Sequence, residues 1–393
     1  MWVVCLQGIP TLVLALGAPF VSAFVPGRTA ASLNTLRRQY RAGPSNAPAL
    51  RMSDASDLLY QEQEKVLISR GELEEKLMSG TASPLEASKV KVRGAGKAGG
   101  FGGGGKSSGK KKTSPAALKA EGKAHSKILK KDGVVRIDNV LSGGIADRMR
   151  EYVYSLRSEA EEEVESGKIQ PIHRFADVLL RKDRCDLTLP LGKDDIISEA
   201  LSDLLRGSAA GQTIKSLLGK GPVLYELSCL ISDPGSQRQN VHPDTPYLEG
   251  KGPVLYTCFI ALQDVQLDMG PTTWLPGTHT KEAHDEFMAG GEQKDELIRT
   301  RPAVLGTLPK GCCAIFDSRC LHCGTANRSE DSSRALFYFS FLSSDVGYPG
   351  NPASIRPEIG LAKITMEDLE DDLALYSKGK GHPTIDRIGA SLR

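Results

Sequence analysis

Between Gly221 and Asp244 the chain reads GPVLYELSCLISDPGSQRQNVHPD. The run Val223 to Ser232 is rich in aliphatic, aromatic and β-branched residues and stops at Asp233-Pro234-Gly235, a turn sequence, so it reads as a strand. The pattern recurs downstream. Val254 to Asp264, Ala303 to Thr307, Cys312 to Phe316 and Arg334 to Leu342 are further short β-rich runs separated by Gly, Pro and Asp turns. Successive strands without crossover helices predict an antiparallel sandwich or barrel. Upstream, Asp132-Gly133 leads into an apolar strand, Val134 to Ile137. Helices are expected over 143–166, with Ile145, Met149, Val153 and Leu156 on one face, and over Asp194 to Leu205. They are expected to pack outside the strands, giving a mainly β, α+β class with flanking helices.

The ends of the chain differ from this middle. Of 393 residues, 25% are charged and 40% hydrophobic, which suits a sizeable folded core and excludes a wholly disordered or fibrous chain. The formal charge of +2 conceals an asymmetry. Residues 1–53 contain five Arg and no acid, and Lys89 to Lys112 adds eight basic residues, again without acid. Removing both groups leaves the remainder at −11, which argues against nucleic acid as a partner of the folded part. Val3 to Ala18 is an apolar stretch too short to span a bilayer comfortably, and Val21-Ser22-Ala23 is a small-residue cleavage site, so 1–23 reads as a signal peptide. Residues 24–53, rich in Arg, Ser and Ala, have transit-peptide composition. Together they resemble the bipartite plastid presequence of algae with complex plastids. Plain secretion is the alternative.

A segment over 54–88 is expected to hold one amphipathic helix, ending at Gly80, that docks on the main domain or on a partner. Residues 89–117 read as a flexible Gly/Lys linker, 118–348 as the main domain, and 349–393 as a peripheral C-terminal extension. No stable membrane span is expected in the mature chain, and oligomeric state is not readable.

The chemistry concentrates on few residues. His242-Pro243-Asp244 follows a strand, and in extended chain residues two apart point to one side, so an imidazole and a carboxylate can share a metal. His322 comes directly after another strand. Two His and one carboxylate on a β scaffold make the facial triad that holds non-haem Fe(II) with three positions left open. Arg334 opens the last strong strand, where Arg334, Leu336, Tyr338 and Ser340 alternate onto one face. A buried guanidinium there needs an anionic partner, and a dicarboxylate cosubstrate would supply it through a planar bidentate pair.

Three stretches carry a family resemblance: Pro234 to Asp244, the segment Gly270-Pro271-Thr272-Thr273-Trp274-Leu275-Pro276-Gly277-Thr278-His279, and Gly311 to Arg334. In order and approximate spacing they resemble the phytanoyl-CoA dioxygenase family of Fe(II)/2-oxoglutarate oxygenases. The resemblance covers roughly 132–345. It implies a double-stranded β-helix (jelly roll), iron held by His242, Asp244 and His322, and 2-oxoglutarate held by Arg334. It further implies O2 as cosubstrate, ascorbate as the reductant in assays, and hydroxylation or desaturation of a small organic molecule with release of succinate and CO2. With a plastid address, lipids and pigments are reasonable substrates. Related halogenases lack the carboxylate ligand; Asp244 is present, which disfavours halogenation.

Other residues have two readings. His279 is expected either to touch the cosubstrate or to stabilise its loop, and Gln239 either to orient a ligand or to cap a turn. Thr257, Tyr225 and Trp274 line the pocket or simply pack. The basic group His173, Arg174, Arg181 and Arg184 binds an anionic substrate head or forms a solvated face. Two rival functions remain: a jelly-roll scaffold without turnover, and a zinc site built from Cys320, Cys323, His322 and Cys312 or Cys313. Cysteines beside iron are also expected oxidation targets.

Overall fold

The computed structural model describes residues 52–90, 113–176, 183–192, 194–252, 255–343 and 363–386. The signal and transit segments, most of the linker, Arg181 and the stretch 344–362 lie outside them.

The chain opens with α1 (Met52–Ser79) and β1 (Ala82–Pro84). The next elements are α2 (Pro115–Asp132), β2 (Val134–Ile137), α3 (Gly143–Glu165), β3 (Arg184–Thr188), α4 (Asp195–Leu201) and α5 (Ala209–Leu218). Then come β4 (Val223–Ser232), β5 (Leu255–Ala261), β6 (Thr272–Trp274), α6 (Lys281–Ala289), α7 (Gly291–Thr300) and β7 (Ala303–Leu305). The described chain finishes with β8 (Cys313–Asp317), β9 (His322–Gly324), β10 (Arg334–Leu342) and α8 (Met366–Tyr376). One sheet has the order β2-β8-β5-β10-β4-β3 and the other β1-β7-β6-β9. This is the expected jelly roll.

Local chemistry sets several boundaries. At the start of α2, Ser114 Oγ accepts the Ala117 N–H and Pro115 stands in the first turn. The same helix ends at Gly133, whose φ of 77° lets its N–H reach Leu129 O. A Cβ at Gly133 would lie 2.6 Å from His279 Nδ1, so position 133 needs glycine for space as well as for conformation.

Period-2 alternation decides what β10 buries. Phe337, Phe339 and Phe341 enter the cluster formed with Met149, Val153 and Leu204 of the helical layer. Leu336 and Tyr338 enter a second cluster with Phe259, Trp274 and Phe316, where the two sheets meet. Burying each of those phenylalanines contributes about 2 kcal/mol. Because both faces of β10 are covered, its outward residues are apolar too.

The structure amends four expectations. Residues 366–372 are not peripheral: Met366, Leu369 and Leu373 are fully buried in the main cluster, and Asp372 caps the amides of Thr384 and Ile385. α2 begins at Pro115, inside the stretch read as linker. The helix expected over 194–205 changes to a π turn at Ser202–Arg206. The pairing is not purely antiparallel, since β1 runs parallel to β7. That strand follows a helix that docks on the jelly roll, which settles the docking left open by the sequence.

Candidate metal centre

His242 and Asp244 do not stand on a regular strand. His242 forms an isolated antiparallel bridge with His322, exchanging N–H···O bonds of 2.9 Å in both directions. The Asp244 N–H donates to Ser318 O at 2.8 Å. His322 heads β9, which belongs to the four-stranded sheet, whereas β8, five residues earlier, lies in the six-stranded one. The crossing between sheets therefore delivers the second imidazole to the first.

The resulting cluster is tight. Ligand atoms of His242, Asp244 and His322 all lie within 4.8 Å of one another, the one such group of three or more among the described residues. Asp244 Oδ1 is 3.7 Å from His242 Nε2 and 3.5 Å from His322 Nε2. Those separations let one ion reach all three at the usual bond lengths of about 2 Å. Both rings are oriented for it. His242 Nδ1 sits 2.7 Å from Asn240 O, and His322 Nδ1 sits 2.9 Å from Cys320 O. Donation from Nδ1–H to a carbonyl leaves each Nε2 lone pair facing the cluster. His322 is buried against Phe316, with ring centroids 4.9 Å apart. Desolvation pushes the Asp244 carboxyl upward while His322 opposes it, so a cation would favour the charged form of this partly buried carboxylate. The donor set, one carboxylate and two imidazoles without thiolate, fits iron.

Arg334 is fully buried. Its Nη2 donates to Ser232 Oγ at 3.0 Å and its Nη1 to Gly270 O, while Nε has no partner. Among the described residues no carboxylate pairs with it, and burial lowers its pKa to about 10. On the neighbouring β6, Thr272 Oγ1 and Trp274 Nε1 are likewise buried without a partner. Spare donors and an uncompensated cation together fit an anionic, oxygen-rich ligand such as 2-oxoglutarate.

The family model described as phytanoyl-CoA dioxygenase matches residues 129–335, just over half of the chain. The chain belongs to the phytanoyl-CoA dioxygenase family. It is thus a non-haem iron, 2-oxoglutarate-dependent oxygenase. Among solved structures, the non-heme alpha ketoglutarate dependent carbocyclase SnoK from nogalamycin biosynthesis is 20% identical, with a TM-score of 0.40, over 58% of this chain and 86% of that one. AviO1 from Streptomyces viridochromogenes Tue57 is 16% identical, with a TM-score of 0.43, over 57% and 96%. The epimerase SnoN, in complex with Fe3+, alpha ketoglutarate and nogalamycin RO, is 18% identical, with a TM-score of 0.39, over 61% and 95%. No curated protein matches the chain.

In this dioxygenase the remaining expected site residues are distributed unevenly. Trp274 is paired in register with His322 and packs on Phe316 at 5.6 Å, beside the metal cluster. Thr257 is buried with its hydroxyl unpartnered and is paired with Phe316 and Ser340. Gln239 accepts the Gly324 N–H at 2.7 Å and so pins the end of β9. His279 Nε2 lies 3.1 Å from Lys130 O, tying its turn to α2, which is the loop-stabilising alternative. Tyr225 is buried with Leu255, in a cluster separate from the aromatic group around His322. The described members of the basic group have separate settings, and Arg181 lies outside the described residues. His173 is exposed, Arg174 is paired with Glu163 at 2.6 Å, and Arg184 is buried with Nη2 on Thr325 O.

The zinc alternative is not supported by the geometry. Cys320 Sγ turns to Leu275 O and Thr278, and Cys323 Sγ to Arg238, so the thiols share no centre. Burial pushes Cys320 up to about 12 and Cys312 and Cys323 up to about 11, which keeps them as unreactive thiols and works against the expected oxidation. What the sequence did not flag is Glu74 on α1, which accepts the Val241 N–H at 2.7 Å beside His242.

Proposed function

We propose that His242, Asp244 and His322 hold ferrous iron, that Arg334 holds the distal carboxylate of 2-oxoglutarate, and that the enzyme oxidises a small lipid-like or pigment-like substrate, releasing succinate and CO2. The observation that carries this reading is the convergence of two imidazoles and one carboxylate within 4.8 Å. Arg334 supports it as a buried cation with no carboxylate partner among the described residues. When bound, iron and 2-oxoglutarate supply the oxidising power by activating O2.

The chain's own residues position and exclude water. The imidazoles of His242 and His322 are aimed by their bonds to Asn240 O and Cys320 O. Ser232 and the Gly270 carbonyl fix the guanidinium plane of Arg334, so a carboxylate meets it in one orientation. Phe259, Phe316, Trp274 and Tyr338 pack at centroid spacings of 5.0–6.4 Å into a buried aromatic cluster against His322, which keeps water from that side of the metal group. The leader composition supports a plastid of an alga with complex plastids as the place of action.

Purified protein given Fe(II), ascorbate, O2 and labelled 2-oxoglutarate is expected to release CO2 and succinate, even without the organic substrate. Silence across Fe(II), Co(II) and Mn(II) would favour the scaffold reading. Pigment and lipid profiles of cells lacking the protein would then identify the substrate class.

A further inference from the structure

The segment bearing His242 and Asp244 is weakly built for a metal site. His242 is 35% exposed at its side chain, against 5% for His322, and outside its bridge it belongs to no sheet. Its ring is held by Asn240 O, two residues earlier, so the aim of Nε2 depends on the backbone of Asn240 and Val241. That backbone is fixed from outside the jelly roll. Glu74, in the last part of α1, is wholly buried, and its Oε2 accepts the Val241 N–H at 2.7 Å. Its other oxygen is held by Arg70 Nε at 2.8 Å and Lys294 Nζ at 3.2 Å, and Arg70 reaches on to Asp295 at 2.6 Å. A carboxylate locked by two cations thus presents a fixed acceptor to an amide one residue from a metal ligand. Charge-assisted bonds of this kind are short and directional.

We propose that Glu74 is a positioning residue of the metal centre: α1 is a strap whose buried carboxylate sets the backbone at Val241 and thereby the aim of His242. This rests on the metal-centre reading above. It gives the segment before the Gly/Lys linker a role in the active site.

The test is Co(II) binding by the full-length protein, followed by its visible absorption and by calorimetry. Glu74→Asp keeps the charge for Arg70 and Lys294 but draws the oxygen back from Val241. It is expected to bind Co(II) about tenfold more weakly and to alter the absorption bands, the size of effect typical of outer-shell partners. Glu74→Gln leaves a single acceptor oxygen to serve the Val241 N–H, Arg70 and Lys294 together, and its amide nitrogen faces donors, so the lock is lost and Co(II) binding is expected to weaken about tenfold here too. Glu75→Ala, which removes only the exposed pair with Arg328 at 2.7 Å, is expected to bind as wild type does. A folded Glu74→Asp protein with wild-type affinity and spectrum overturns the proposal. So does wild-type affinity and spectrum in a folded Glu74→Gln protein. Failure of the wild-type protein to take up Co(II) is a different result, because it removes the metal centre itself.

Discussion

Arg334 and Ser232 are register partners where β10 begins and β4 ends, and the guanidinium donates to the serine hydroxyl at 3.0 Å. A hydroxyl and the Gly270 carbonyl orient a cation but do not neutralise it. Among the described residues no carboxylate balances this deeply buried charge, which an anionic ligand would do.

Replacing Arg334 with Lys should raise the apparent KM for 2-oxoglutarate by about tenfold or more with a smaller change in kcat, because an ammonium cannot form the planar pair. Initial rates of succinate release against 2-oxoglutarate concentration measure it. An unchanged KM would remove Arg334 from the cosubstrate site.

The pH dependence follows from the same burial. Burial lowers the pKa of Arg334, but a guanidinium starts so far above neutrality that it stays charged through neutral and mildly alkaline pH. The KM for 2-oxoglutarate should therefore be flat from about pH 7 to 9. A climb already near pH 7 would point to a different group.

Asp244→Ala leaves two imidazoles and no anionic ligand. Metal uptake and 2-oxoglutarate turnover should both fall by more than about a hundredfold, beyond the loss typical of second-shell changes. Calorimetry with Co(II) and labelled CO2 release report the two quantities separately. Retained turnover would contradict the ligand assignment.

His125 lies on α2, 2% exposed, and burial lowers its pKa to about 4. Between about pH 6.5 and 4 the unfolded chain takes up a proton that the folded chain refuses, so stability declines as pH falls through that window. The loss at full protonation is on the order of 3 kcal/mol. Thermal melts of His125→Leu across this range should be flatter than those of wild type, and parallel curves would refute the assignment.

Gly122 sits where α2 meets α5. A Cβ there would lie 2.5 Å from the Gln212 carbonyl carbon and 2.7 Å from the Thr213 amide nitrogen, and backbone cannot step aside as a side chain can. Gly122→Ala should cost about 1–3 kcal/mol and lower Tm by several degrees, while Co(II) affinity stays at the wild-type value.

The division between what was readable in the sequence and what was not follows the range of the interactions. β4, β10 and α3 were placed within a residue because alternation, turn residues and capping act over a few positions, as at Ser142, whose hydroxyl accepts the Ile145 N–H. His242 and Asp244 were legible as a pair because their spacing is two. β6 and β9, three residues each, were missed: a strand that short has no period of its own, and its pairing partners supply the structure. α8 was misread as peripheral because its acidic face dominates the composition, while its burial depends on Met366, Leu369 and Leu373 meeting a cluster built from distant segments.

By itself, then, the chain's order of residues determined which segments extend, where they turn, that one imidazole and one carboxylate stand two apart, and that downstream a second imidazole follows a strand and an arginine opens another. Tertiary structure decided the rest. Only the sheet crossing joins His322 to His242, and only the docking of α1 brings Glu74 to Val241, 167 positions away in the chain. Such contacts form because docking one face of α1 and closing the two sheets offset the entropy of long loops, a balance struck over the whole fold that leaves no mark in any local stretch of sequence.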